Sequence, residues 1–302
     1  MAFLPHKKSY PTEDHNSMAA ALGISHDKKV LDIGGGHNPF GFADVVVDID
    51  FFSGHHRDGN QIILDHANHE YIQADIANLP FSDKSFDFII CVQVLEHVDD
   101  PAKACEEIMR VAHRGFIETP RKWTEFYAGH PTHKWLIDDT DDVLSFEPVT
   151  FNNSPFMNFA LPPLWDSAEL KKYLDFYRNI PCVQLFWEDY FFYKVRDSRS
   201  DLSCSSSDLA VRHFNFAKNL LYWMAPAQNG LYHASYAFEL AKDNSEYSSL
   251  YAFYLALSGN WKAAIKQGLT FKSAWYAVIC SILMQISKHF CSWYRRIISA
   301  CL

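Results

Sequence analysis

Short apolar segments, most of them ending in an acidic residue or followed by glycine, constrain the fold of this chain more than any other feature. Five of them occur early in the chain, at positions 29–33, 43–50, 71–75, 85–93 and 115–119. Their length and their β-branched residues are typical of buried strands. Before the last of these segments, Asp100 and Pro101 have the residue types that cap and begin a helix. Strands that alternate with helices predict a mostly parallel α/β sheet with helices on both faces.

The sequence beyond the fifth segment sets the limits of the domain. Positions 182–195 hold two strand-like runs separated by Glu188 and Asp189, which predicts an antiparallel hairpin at the end of the domain. A polar, serine-rich stretch follows, and helical patterns follow that stretch. We therefore expect a lead-in at 1–27, an α/β domain at 28–197, a linker at 198–210 and an α-helical appendage at 211–302.

The distribution of charge excludes one class of partner and leaves another open. The formal net charge is −9, which opposes an affinity for nucleic acid based on phosphate neutralisation, so we expect no nucleic-acid partner. Beyond Tyr247 the chain contains six Lys or Arg and no Asp or Glu. A contact of this basic tail with a membrane surface or a protein stays open, beside the simpler packing of its helices on one another.

The cysteines and the first residues favour a reducing compartment. The seven cysteines are an odd number, none has CxxC spacing, and the chain begins without the apolar core of a signal peptide. The longest apolar run, near Ala274, is shorter than the roughly 20 residues that cross a bilayer. We expect reduced cysteines and a cytoplasmic location, with peripheral attachment to a membrane as the alternative.

The stretch KKVLDIGGGHNPFGFADVVVDID, at 28–50, indicates the ligand. Three glycines follow a predicted strand, yet only eight residues, 37–44, precede the next apolar run, and a usual crossover helix needs more. The loop matches neither GxxxxGK[ST] nor GxGxxG, the patterns that hold phosphates. The predicted strand ends carry acids and glycines but no Lys or Arg. They fit a ligand with a ribose diol, an amine and a positive centre, which is S-adenosylmethionine.

Four stretches resemble a known family when taken together: VLDIGGG, VVVDID, YIQADIANLPFSDKSFDFIICVQVLEHVDDP and RVAHRGFIETP. They are similar to class I S-adenosylmethionine-dependent methyltransferases, above all to the methyltransferase type 11 group, over about residues 28–120 and weakly to about 195. The resemblance implies a Rossmann-like, mostly parallel sheet of seven strands with S-adenosylmethionine as cofactor. The chain departs from the pattern at Asn38, which replaces the last glycine of the loop, and in the near absence of the first helix.

The resemblance also implies roles for residues at the strand ends. Asp32 would orient the glycine loop and hold the amino group of the cofactor. Asp48, with Asp50 as the alternative, would hold the ribose hydroxyls, and Asp75 would take the adenine amine. The other expected cofactor contacts are Gly34, Gly35, Gly36, Ile76, Gln93 and Val94.

Two histidines are candidates for catalysis. His133 follows the fifth predicted strand, where substrate loops gather, and an unperturbed imidazole titrates near neutrality, as a general base requires. The alternative, a loop histidine that packs on Trp135, carries equal weight. His97, which the resemblance places at the edge of the site, is the second candidate. We expect no metal, because the spacing of His66 and His69 arises easily by chance among 15 histidines and no cysteine lies near them.

The function expected from the sequence is methyl transfer from S-adenosylmethionine to a small-molecule or glycan acceptor, with an oxygen acceptor favoured. Synthesis of cell-envelope polysaccharide is a hypothesis for its setting. The alternative is a binding or scaffold protein that keeps the methyltransferase fold without turnover. A nicotinamide-dependent oxidoreductase is disfavoured because the glycine loop lacks the GxGxxG pattern.

Overall fold

The computed structural model describes residues 9–36, 38–51, 64–128, 130–140, 143–149, 178–196, 206–222, 227–270 and 277. The chain divides into two compact units, Met1–Ser203 and Cys204–Leu302. Most of the apolar run near Ala274 and the end of the basic tail lie outside the described residues.

The described part of the first unit contains nine strands in two sheets. In chain order they are β1 (Val30–Ile33), β2 (Val45–Asp48), β3 (Glu70–Gln73), β4 (Phe86–Val92), β5 (Ala112–Pro120), β6 (Trp135–Thr140), β7 (Val143–Pro148), β8 (Cys182–Glu188) and β9 (Phe192–Val195). The central sheet has the order β3-β2-β1-β4-β5-β8, in which β1 to β5 are parallel and β8 is antiparallel to β5. All residues of β1 and β2 are buried, as expected for parallel strands covered on both faces. The predicted, mostly parallel α/β sheet is confirmed.

One expectation for the end of the sheet needs correction. Within the described residues the central sheet has six strands, and the expected count of seven stays a prediction. The antiparallel hairpin predicted at 182–195 is wrong, because β8 pairs with β5, whereas β9 pairs in parallel with β7 in a second sheet of order β6-β7-β9. Asp189, at φ 61°, lies in the tight turn where the chain leaves the central sheet.

Three helices accompany these sheets: α1 (His15–Leu22), α2 (Pro101–Val111) and α3 (Lys122–Ala128). The predicted start of α2 is confirmed, because the Asp100 carboxylate accepts a hydrogen bond from Lys103 N at 3.1 Å and Pro101 occupies the first turn. The sequence analysis did not predict α1, which lies in the expected lead-in. It also did not predict α3, which follows β5.

Alternate residues of the central strands pack on opposite faces of the sheet. Leu31 of β1 belongs to an apolar cluster with Ile108 of α2, whereas its neighbour Val30 belongs to a cluster with Met18 and Leu22 of α1. The two helices therefore cover opposite faces, as predicted.

The second unit is helical in its described part. It contains α4 (Ser206–Tyr222), α5 (Ala227–Leu240), α6 (Ser245–Leu257) and α7 (Trp261–Lys266). The helix α4 begins at Ser206, within the expected linker at 198–210. Gly230 of α5 lies where a Cβ atom would overlap the ring of Tyr254, whose hydroxyl donates to Ala217 O at 2.6 Å, so the three helices α4, α5 and α6 meet closely. None of the described helices has the length and apolar character needed to cross a bilayer.

Candidate functional site

A cavity of about 620 Å³ opens at the carboxyl ends of β1, β2 and β4. The order of the parallel strands reverses beside β1, and open α/β sheets bind ligands at such a switch point. Of the predicted site residues, the cavity is lined by Asp32, Gly34, Gly35, Gly36, Asp48, Asp75, Ile76, Gln93, Val94, His97 and His133. Asp50 is the one predicted residue that does not line it.

Among the described residues, no helix separates the glycine loop from β2. Gly34 has φ 72°, and a Cβ atom there would overlap Val94 Cγ2, so glycine is required at this position both by backbone conformation and by space. Asp32 Oδ2 accepts a hydrogen bond from Phe40 N at 2.8 Å and thereby closes the loop. Gly34 N donates to Val47 O at 2.7 Å. Hydrogen bonds to Asp32 and to β2 thus hold the glycine loop in the conformation that a following helix would otherwise stabilise.

The unpredicted helix α1 takes the place of the missing crossover helix. Phe40, in the short loop between β1 and β2, packs in one cluster with Met18 of α1, and its ring lies 5.3 Å from that of His15. Thr12, Glu13, His15 and Met18 all line the cavity. The face of the sheet left open by the shortened connection is therefore covered by a segment that precedes β1.

Asp32 is a buried acid beneath the glycine loop. Burial raises its pKa to about 7; the hydrogen bond from Phe40 opposes this change and the nearby charge of Asp48 adds to it. Asp32 is only 3% exposed and lines the cavity. A positively charged group close to it would favour the ionised form.

The structure separates the two candidates for the ribose. Asp48 ends β2, is 8% exposed and lines the cavity. Asp50 does not line it, and its backbone N donates to Asp48 Oδ1 at 3.0 Å. Asp75 lines the cavity at the next strand end and caps a short 3-10 turn by accepting from Ala77 N at 2.9 Å, and Ile76 is buried beside it.

A buried glutamate organises the floor of the cavity. Glu118, at the end of β5, is fully buried and accepts hydrogen bonds from Gln93 Nε2 at 3.1 Å and from Arg178 Nε at 3.0 Å. Thr12 Oγ1 and Gln184 Nε2 donate to its other oxygen at 2.9 and 2.7 Å. Gln93 has φ 57° and is held in this unusual conformation by its backbone bond to Glu118 O.

Two basic residues, Lys134 and Arg178, also line the cavity, although neither lies at the end of a parallel strand. Both are paired with acids. Arg178 forms ion pairs with Glu118 and Glu13 at 3.0 and 3.3 Å, and Lys134 Nζ lies 2.6 Å from Asp99 Oδ1. Asp32, Asp48 and Asp75 lie beyond these pairs, so the lining keeps an excess of acid.

A group of histidines and glutamates forms the other end of the cavity. His97 follows β4, and His133 lies between α3 and β6, with 4.7 Å between the ring centroids. His133 Nδ1 lies 2.8 Å from Glu125 Oε1, and Glu96 is almost fully buried next to His97. His133 therefore has a polar contact with Glu125, which the alternative of simple packing on Trp135 does not explain. His130 also lines this end, 5.4 Å from the ring of His133.

Two acids at this end have strongly raised pKa values. Burial raises the pKa of Glu96 to about 8, against hydrogen bonds from its own backbone and Thr119 and with a contribution from the charge of Glu125. Burial also raises the pKa of Glu125 to about 8, against the attraction of His130. Groups with strongly displaced pKa values in a cleft are candidates for a functional site. Sequence analysis missed both, because burial and not residue type marks them.

Comparison with known proteins agrees with this geometry. Residues 31–117 match the family model described as a methyltransferase domain. The chain is 36% identical over 100 residues to a demethylmenaquinone methyltransferase of Paenarthrobacter aurescens (strain TC1). The matched region covers 32% of this chain and 38% of that protein. It is 26% identical over 136 residues to cycloartenol-C-24-methyltransferase 1 of Oryza sativa subsp. japonica, covering 41% and 40% of the two chains. Residues 31–117 are therefore similar to the methyltransferase domain of this family.

The similarity to these proteins is partial, and the chain spans about 40% of the length of the curated relatives it matches. Solved structures of S-adenosylmethionine-dependent methyltransferases from Aquifex aeolicus and Mesorhizobium loti match with TM-scores of 0.28 and 0.29 at 18% and 15% identity. The matches cover 38% and 46% of this chain and 75% and 66% of those chains. At these TM-scores the two structures add nothing to the assignment.

S-adenosylmethionine is the cofactor that the methyltransferase family implies, and the residues present fit it. The cavity volume lies within the range of about 300–1,000 Å³ found for small-molecule sites. Its lining offers carboxylates for a diol, an amine and a sulfonium, and a glycine loop without side chains. Because both lining bases are paired with acids, the donor set suits a cation better than a polyphosphate.

Proposed function

We propose that the protein transfers a methyl group from S-adenosylmethionine to a small-molecule or glycan acceptor, with oxygen as the favoured acceptor atom. The observation that carries this proposal is the position of Asp48, a nearly buried carboxylate at the carboxyl end of β2 that lines an acid-rich cavity beside the glycine loop. The two relatives are named for demethylmenaquinone and cycloartenol, both small molecules, which supports an acceptor of this size.

The residues around the cavity divide into those that hold the cofactor and those that face the acceptor. When bound, S-adenosylmethionine supplies a methyl group that is already activated on a sulfonium. We assign the ribose hydroxyls to Asp48, the adenine to Asp75 and Ile76, and the amino group to Asp32. The methionine part would lie along Gly34, Gly35, Gly36, Gln93 and Val94. With an activated donor, the protein contributes mainly proximity and alignment.

The pair of His133 and Glu125 is suited to accept the proton of an acceptor hydroxyl. Glu125 Oε1 lies 2.8 Å from His133 Nδ1 and so fixes the orientation of the imidazole at the wall of the cavity. An imidazole held in this way by a carboxylate is a common general base. His97, 4.7 Å away between ring centroids, would lie beside the same acceptor.

Calorimetric titration with S-adenosylmethionine and S-adenosylhomocysteine tests the cofactor site, and Asp50 offers a matched control. We expect micromolar binding in the intact protein and a loss of about 10-fold or more in Asp48→Ala and Asp75→Ala, because each removes a charged hydrogen-bond partner. Asp50→Ala removes the same group two residues from Asp48 and should leave the affinity within about threefold. Equal losses in Asp48→Ala and Asp50→Ala would contradict the assignment of Asp48 to the ribose.

The second candidate is a protein with the methyltransferase fold that binds ligands without turnover, and an assay with labelled S-adenosylmethionine distinguishes it from an enzyme. A binding protein should bind the cofactor but transfer no methyl group. An enzyme should transfer the labelled methyl group to at least one class of acceptor. Sugar nucleotides, glycans and apolar ring compounds are the classes to offer first. Methylation at carbon in place of oxygen would keep the enzyme and reject the favoured acceptor atom. Tight binding of NADH would instead support the alternative of a nicotinamide-dependent oxidoreductase.

We also propose a cytoplasmic protein whose basic tail reaches a membrane surface or a protein partner. The support for the tail contact is that the residues after Tyr247 include six Lys or Arg and no Asp or Glu. Co-sedimentation with anionic liposomes, comparing the full chain with a version that ends at Ser203, tests the membrane contact. Equal sedimentation of the two versions would exclude the tail as a membrane anchor.

A further inference from the structure

Three potential metal ligands converge at the histidine end of the cavity. Glu96, His97 and His133 each offer one donor atom, and these atoms lie within 4.8 Å of one another. The three residues come from two connections, the one after β4 and the one before β6, and all of them line the cavity. Donors bound to one ion at about 2.1 Å lie at most about 4 Å apart, so side-chain shifts of less than about 1 Å would complete such a site.

One of these donor atoms lacks the partner that its burial demands. Glu96 is 1% exposed, and among the described residues its Oε1 atom has no hydrogen-bond partner. The nearest cationic candidate is His97 Nε2, at 4.0 Å. A buried polar oxygen without a partner is costly, and a divalent cation between these two atoms would compensate it.

The surroundings of the three residues hold them in the way that metal ligands are usually held. Thr119 Oγ1 donates to Glu96 Oε2 at 3.0 Å, which directs Oε1 towards His97. Thr132 Oγ1 lies 3.2 Å from His97 Nδ1. Glu125 Oε1 lies 2.8 Å from His133 Nδ1, the carboxylate–histidine pair that orients the imidazole in many metal sites.

We propose that Glu96, His97 and His133 form a site for a divalent transition-metal ion at the acceptor end of the cavity. Two imidazoles and one carboxylate suit Zn²⁺, Fe²⁺ or Co²⁺ and disfavour Mg²⁺, which prefers oxygen ligands. Three protein ligands at a cavity wall leave a further coordination position open to the cavity, as in metal sites that act on substrates.

The role of the ion rests on the proposed function. A cation at this position would bind an acceptor through an oxygen atom and orient it for transfer, so the acceptor class narrows to molecules with a hydroxyl or carboxylate group. His133 would then serve as a ligand of the ion, with Glu125 as its positioning residue, and would not act as the base.

The test is binding of the metal alone to the full-length protein after treatment with a chelator and dialysis. We expect one equivalent of Zn²⁺ by calorimetry, and a visible absorption spectrum of tetrahedral or five-coordinate type on addition of Co²⁺. Mg²⁺ should not compete at comparable concentration. Absence of both the Zn²⁺ heat and the Co²⁺ spectrum from the folded protein would overturn the proposal.

Substitutions of the proposed ligands test where the metal ion binds. Glu96→Gln, His97→Gln and His133→Gln should each weaken Zn²⁺ binding by about 100-fold or more, and the positioning variant Glu125→Gln by about 10-fold. His69→Gln is the matched control, because His66 and His69 form the other histidine pair and His69 lies outside the three-ligand group. Loss of binding in His69→Gln with normal binding in His133→Gln would place the ion elsewhere and reject this site.

Two measurements separate failure of this inference from failure of the proposed function. Circular dichroism shows whether each variant folds, and Glu125→Gln, which keeps the hydrogen-bonding shape of the side chain, provides a milder change if a ligand variant does not. Titration with S-adenosylhomocysteine in the presence of chelator reports the cofactor end alone. Cofactor binding without Zn²⁺ binding would reject the metal site only, and Zn²⁺ binding without cofactor binding would support the metal site and reject the proposed transfer.

Discussion

The two ends of the cavity are built from opposite kinds of side-chain environment. At the glycine end, Asp32 accepts a backbone hydrogen bond from Phe40, and the glycine loop fits so closely that a single methyl group would overlap Val94. At the histidine end, Glu96 and Glu125 each have one buried oxygen with no hydrogen-bond partner among the described residues. The first end is closely packed around the glycine loop. The second end has buried carboxylate oxygens without hydrogen-bond partners among the described residues.

The largest effect on stability is expected from Gly34→Ala, at the glycine end. Its φ of 72° is unfavourable for alanine, and the new methyl group would overlap Val94, so we expect a loss of about 2–4 kcal/mol in the free energy of unfolding. Gly23→Ala is the control, because Gly23 has φ 67° but nothing within 4 Å of a Cβ atom, and its loss should be about 1 kcal/mol. Urea unfolding followed by tryptophan fluorescence measures both. Similar losses in the two variants would show that the loop has room to relax.

A crossed ligand experiment should separate the two ends by a somewhat smaller effect. A ligand at about 100 times its Kd stabilises the folded protein by about 2.7 kcal/mol, visible as a rise in Tm. We expect Asp48→Ala to abolish the rise caused by S-adenosylhomocysteine and to keep the rise caused by Zn²⁺. Glu96→Gln should do the reverse. If each variant lost both effects, the two ends would form one site and the distinction drawn above would be wrong.

The glycine end was predictable from the sequence because its residues follow the strands directly. Asp32, Asp48 and Asp75 come at the ends of successive apolar runs, and the parallel arrangement brings all such ends to one edge of the sheet. The five parallel strands of the central sheet follow from the same apolar runs. The wrong hairpin at 182–195 shows the limit, since run length and alternation do not say which neighbour a strand selects.

The histidine end was not predictable in the same way, because its contacts join distant segments. Glu125 lies on α3, a helix without a sequence signal that we recognised, and reaches His133 only through the turn before β6. The same holds for the floor of the cavity, where Arg178 contacts Glu118 across 60 residues of chain. His133 and His97 were chosen as single residues by type, but their proximity depends on how β4 and β6 are placed.

The pH dependence of stability offers a smaller effect at the glycine end. Burial raises the pKa of Asp32 from the ordinary value of 3.8 to about 7 in the folded protein, so its contribution to stability is fully present below about pH 4 and is lost as the pH rises towards 7. Asp32→Asn keeps an oxygen for Phe40 N but has no proton to lose. We expect the variant to gain stability relative to the wild type between pH 4 and pH 8. Thermal unfolding across this range measures it, and a difference that does not change with pH would contradict the raised pKa.

The smallest effect is expected at the rim of the histidine end, in Lys134→Ala. The ion pair of Lys134 with Asp99 is 2.6 Å long, but the Asp99 side chain is 91% exposed, and such surface pairs contribute little because water screens them. The free energy of unfolding should therefore change by less than about 0.5 kcal/mol. Zn²⁺ affinity should rise slightly, since a positive charge near the proposed ion is removed, and calorimetry at low salt measures this change. A large loss of stability would mean that surface ion pairs such as Lys134–Asp99 compensate the excess negative charge at the histidine end. The two ends would then differ less in how well their polar groups are paired.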